Sequence, residues 1–236
     1  MKFELRQAKR CARGVLALAS VLVLAGPVLA GPPLICSEVM LTESEAALLA
    51  KAIDGKGDAA ARVESFVGAI AASTSPRFRI EAIRWFFHQG EDARRALPAA
   101  LDRRLSELAD RATPQDRFDA HLAALIADWE GEGAGSEAAA LSEIADATGD
   151  SARLIIAAEA LDLASLGKSA EERRLASLLS LAHCRRAAAA LAKPVTDEDR
   201  EVARLLRAHL PHLRGMHSRE PCWQKFLATF GEEEES

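Results

Sequence analysis

The chain has 236 residues, 49% of them hydrophobic, a formal charge of −5, four cysteines and no tyrosine. That length supports one or two domains with a sizeable core, and so few cysteines exclude a disulfide framework. Residues 1–30 hold five of the 30 basic and one of the 35 acidic side chains, so the remainder carries −9. Such an acidic remainder lacks the basic face that nucleic acid or anionic lipid needs, so no nucleic-acid partner is expected.

Lys2, Arg6, Lys9, Arg10 and Arg13 precede an apolar run from Val15 to Leu24, and small residues continue to Ala30. This is the pattern of an export signal. Val28 and Ala30 suit the two specificity pockets of a signal peptidase, so cleavage is expected after Ala30, with Ala25 as a second candidate. The expected product, residues 31–236, is periplasmic or secreted. The alternative is an uncleaved leader that anchors the protein to a membrane, but Gly26, Pro27, Pro32 and Pro33 frame the run poorly for a permanent span. Pro33, Leu34 and Ile35 precede Cys36 where a lipidation site needs small residues. No later stretch is apolar for long enough to span a bilayer.

Beyond the leader, alanine, leucine, arginine and glutamate dominate and period-two runs of β-branched residues are missing, which predicts an all-α protein. Predicted helices cover 42–54, 58–73, 75–89, 91–112, 114–130, 137–148, 151–166, 170–192, 197–213 and 219–230. Starts are marked by Thr42 with Glu45, by Asp58, by Ser75 and Thr113 each before a proline, and by Ser136, Ser151, Ser169 with Glu172, and Thr196. Glycines 90, 149, 167, 215 and 231 sit where helices end. Pro98 is expected to kink or split its helix, and Pro211 to end or bend the ninth. Gly131, Gly133 and Gly135 with Ser136 read as the one flexible linker, so residues 31–236 form either a single all-helical domain or two subdomains joined near 131–136, followed by an acidic tail at 232–236.

Three apolar stripes follow helical spacing: Phe118, Leu122, Leu125, Ile126 and Trp129; Leu175, Leu178, Leu179 and Ala182; and Val202, Leu205, Leu206 and Leu213. Short connections make consecutive helices antiparallel neighbours, a stack of α-hairpins. Ser75, Thr113 and Ser151 are spaced 38 apart. That is the order of period of a short α-solenoid, the alternative being an irregular helical bundle.

Four groups of side chains invite a functional reading. Trp85, Phe86 and Phe87 lie in a row and cover most of a helix circumference, so they are either buried or, with a ring exposed, an interaction surface. His183 adjoins Cys184, but adjacent helical residues point about 100° apart and do not form an activated pair. His209, His212, Met216, His217 and Cys222 are candidate ligands for copper or zinc. Against that, His209 lies on an apolar stripe and Pro211 separates the first two histidines. Glu43 and Glu45 offer helix-borne acids for a cell-wall hydrolase, although the capping box already explains Glu45. If a bridge forms among Cys36, Cys184 and Cys222, Cys184 with Cys222 is the expected pair, since their predicted helices are separated by a single helix.

Metalloprotease, haem-attachment, nucleophile-elbow and phosphate-loop motifs are absent from the sequence. No cofactor is implied. The sequence therefore points to an exported, non-enzymatic protein- or peptide-interaction module. The alternatives are an exported metal-binding protein and an exported cell-wall hydrolase.

Overall fold

The computed structural model describes residues 41–53, 58–87, 91–166 and 168–216. Among them are nine α-helices and no strand. They are α1 (Glu43–Ile53), α2 (Ala59–Ala71), α3 (Pro76–Phe86), α4 (Glu91–Leu108), α5 (Pro114–Ala127), α6 (Ala134–Thr148), α7 (Ser151–Ala164), α8 (Ala170–Ala192) and α9 (Asp197–Met216), with a 3-10 turn, Ala109–Arg111, after α4. Each predicted helix up to 197–213 has its counterpart. The predicted helix 219–230 lies outside the described residues.

The starts are set by the residues that mark them. Thr42 and Glu45 exchange backbone and side-chain bonds of 2.8 and 3.2 Å, and Thr113–Asp116 and Ser169–Glu172 form the same reciprocal box. Each box satisfies two otherwise orphan backbone N–H groups. Ser75 and Asp58 cap α3 and α2 by accepting from Phe78 N and Ala61 N. Gly149 closes α6 at φ 71°, a left-handed conformation that costs glycine little.

Four local expectations are corrected. Asp150, not Ser151, caps α7, accepting from Arg153 N at 3.0 Å, which frees the Ser151 hydroxyl for a tertiary bond. Gly135 and Ser136 belong to the first turn of α6, which begins at Ala134 with Ser136 Oγ bonded back to Gly133 O at 2.7 Å. Helix α4 is not split at Pro98, and α9 does not end at Pro211 but continues to Met216. Proline removes one i→i−4 bond, and the surrounding turns keep the rest of the ladder.

Packing is closed about α3. Successive helices from α4 to α9 pack against one another, α2 reaches over to α4, and α3 touches α1, α2, α5 and α7. Nine of the eleven residues of α3 and twelve of the fourteen of α7 are buried, so these two helices have no solvent face. The core is Phe66, Phe86, Phe87 and Phe118 with the leucines and isoleucines around them, and Phe66 stacks on Phe86 at 4.2 Å between centroids. In a one-dimensional array each repeat meets only its neighbours. The α3–α7 contact, and bonds from α3 to α9 spanning more than 120 residues, depart from that pattern.

Candidate functional site

The first turns of α1, α3, α5, α7 and α9 are joined to one another by side-chain bonds. Five helix N-termini side by side concentrate positive dipole ends, and six carboxylates lie among them. Arg77, buried on α3, clamps Glu45 of α1 through both carboxylate oxygens. Its backbone N–H and the Ser75 hydroxyl both donate to Glu198 of α9 at 2.8 Å. Asp199 of α9 accepts from Ser151 Oγ at 2.6 Å.

A second buried set joins α3, α5 and α7. Arg79 donates Nε to Asp119 at 2.6 Å and Nη2 to Asp116 at 2.7 Å. Gln115 bridges Asp119 to Arg153, whose guanidinium also holds Asp150 and lies 5.9 Å from the centre of the Phe118 ring. Burial pushes the wholly enclosed Asp119 up to about 6, although Arg79 and Gln115 pull it down. For Glu45 and Asp116 burial also acts upward, but it is outweighed: Arg77 and Thr42 hold Glu45, and Thr113 and Arg79 hold Asp116, below the usual range. Every one of these carboxylates is already occupied by an arginine, a hydroxyl or a backbone N–H. The network fastens five helix ends together.

A second constellation joins α6 and α8. Ser142 Oγ lies 2.7 Å from His183 Nε2, and Asp146 Oδ1 lies 3.5 Å from Nδ1. Hydroxyl, imidazole and carboxylate thus follow the order used by serine hydrolases. The remaining requirements fail. Nδ1 makes no hydrogen bond, and Asp146 is turned to Arg186. Ser142 and His183 also sit in helix interiors, where backbone N–H groups are spent on the helical ladder and form no oxyanion hole. Burial lowers the His183 pKa against the opposing pull of Asp146, so the imidazole is neutral and ties the two helices together. His183 and Cys184 are both buried.

The largest departure from the sequence reading is the orientation of α8. Its predicted core stripe faces outward: Leu175, Leu178 and Leu179 are 59%, 57% and 44% exposed, and Ala182 is exposed. The opposite face, Ser180, His183, Cys184, Ala187, Ala188 and Leu191, is buried, because small side chains let α8 approach α7 closely. Leu166, at the end of α7, is 58% exposed. A cleft of about 470 Å³, lined by Asp162, Ser165, Arg174, Leu178 and Leu181, adjoins the stripe. A separate apolar cleft of about 410 Å³ lies among α1, α2 and α3, with Leu48, Leu49, Ile70 and Phe78 in its wall and Glu45 at its edge.

The other singled-out residues fall as follows. Phe86 and Phe87 are 1% exposed and belong to the core, and Trp85 is half-buried against it. His209, His212 and Met216 lie on α9, and His217 and Cys222 lie outside the described residues. Among the described residues no group of three or more His, Cys, Asp or Glu is arranged to hold a metal ion, and no helix is long and apolar enough to cross a membrane. No family model, curated protein or solved structure matches the chain.

Proposed function

We propose that the protein is exported and acts as a non-enzymatic interaction module, docking a protein or peptide partner on the outward leucine face of α8. The observation that carries this is the exposure of Leu175, Leu178 and Leu179 at helical spacing on one face. Isolated exposed leucines are ordinary, but three within five residues on one stripe of a helix form a local apolar patch. From Ser180 onward the opposite face of α8 is buried, so the leucines project from a helix anchored through its C-terminal half and a partner meets an already formed helical surface. The basic and apolar leader supports export.

The test is the mass of the protein after chemical cross-linking in the producing cell, before any dilution. A complex heavier than the single chain is expected, and Leu178→Glu with Leu179→Glu should return it to the mass of the chain without moving the melting temperature. Single-chain mass for the unaltered protein would contradict the proposal.

A further inference from the structure

The exposed face of α8 has a symmetry that identifies its partner. Reading along it, Glu171 and Glu172 are followed by Leu175, then Leu178 and Leu179, then Ala182, then Arg185 and Arg186. All eight are exposed. The pattern is a palindrome in spacing and position, with the charge inverted from one half to the other. At 100° per residue these positions share one stripe about 22 Å long.

We infer that the partner is a second copy of this chain, bound through an antiparallel α8–α8 contact; this inference rests on the docking reading above. A twofold axis passing between Leu178 and Leu179 brings Glu171 opposite Arg186, Glu172 opposite Arg185 and Leu175 opposite Ala182 of the other copy. Each half then supplies what the other lacks, which is the requirement of an isologous interface. A parallel pairing would set glutamate on glutamate and arginine on arginine. Glu171 and Arg185 make no hydrogen bond or ion pair among the described residues. Glu172 also caps its own helix, and Arg186 also holds Asp146 at the surface. Two helical faces of this length bury less than a standard interface, so the dimer is a weak one, and its charged flanks make it salt-sensitive.

The experiment places a photo-activated cross-linking residue at position 178 of the full chain in the producing cell. The expected product is an adduct of twice the chain mass whose digestion joins α8 to α8. Glu171→Arg alone and Arg186→Glu alone should each reduce that adduct at least fivefold, and the double variant should restore it, because the swapped charges again face opposite ones. Unchanged thermal melts confirm that each variant is folded. An adduct with a different chain overturns self-pairing while the docking reading stands. No adduct at all overturns both, and failure of the double variant to recover overturns the antiparallel register.

Discussion

Replacing Arg79 by methionine removes the counter-ion of a carboxylate with no access to water. Arg79 bonds Asp119 and Asp116 at 2.6 and 2.7 Å, and Asp119 is 0% exposed. Breaking a buried pair from one side typically costs about 3–5 kcal/mol, about a fifth or more of the stability of an ordinary domain. For a chain of this size that lowers the melting temperature by about 6–20 °C. Arg79→Met with Asp119→Leu removes the wholly enclosed charge, leaves Asp116 its Thr113 bonds, and should recover part of the loss. Thermal and urea denaturation of the two variants measures both quantities. A single variant within about 1 kcal/mol of the unaltered protein, or a double variant no better than the single, would refute the account of a sealed charge network.

The same network sets a pH dependence. Asp119 titrates near 6 in the folded protein, above its ordinary 3.8, so the native state binds a proton that the unfolded chain has released between those values. Its stabilising contribution is complete below about 3.8 and is lost as pH rises through about 6. Glu45 and Asp116 are held low and act in the opposite sense, contributing above their ordinary values of 4.5 and 3.8 and losing that contribution as pH falls below them.

Asp119→Asn should accordingly flatten the stability profile between about pH 4 and 6, and an unchanged slope in denaturant titrations would count against the assignment. Intact-mass measurement of the exported protein should give a chain that begins at Gly31, whereas retention of residues 1–30 in a membrane fraction would overturn the export reading. Trp129 is only half-buried against the core, so Trp129→Ala should cost about 1–3 kcal/mol, less than a fully buried tryptophan, and an unchanged melt would place it outside the packed stripe. Non-reducing peptide mapping should join Cys184 to Cys222, and a Cys184–Cys36 peptide would refute that pairing.

Helix positions were legible because local chemistry declares them. Thr42 with Glu45, Ser75 before Pro76, and Thr113 before Pro114 with Asp116 each satisfy backbone donors within four residues, so the signal is contained in a short window. The buried face of α8 was not legible, because two faces compete on the same helix. One carries the larger leucines and the other small residues that permit closer contact with α7, and periodicity does not rank them. The charge network was hidden for a different reason: Arg77 and Arg79 look like surface residues until Glu45, Asp119 and Glu198, 32 to 121 residues away, are brought to them. Ser142 and Asp146, one turn apart on α6, gave the only local sign of a site facing His183, since residues at that spacing share a face.

The central claim is that the leucine face of α8 is open on the isolated chain and covered where the protein works. Hydroxyl-radical footprinting reads both conditions on the same peptide. Leu175, Leu178 and Leu179 should label strongly in dilute purified protein and become protected, by at least severalfold, in the intact producing cell. Protection already present in the dilute single chain, or equal labelling in both conditions, would contradict the account.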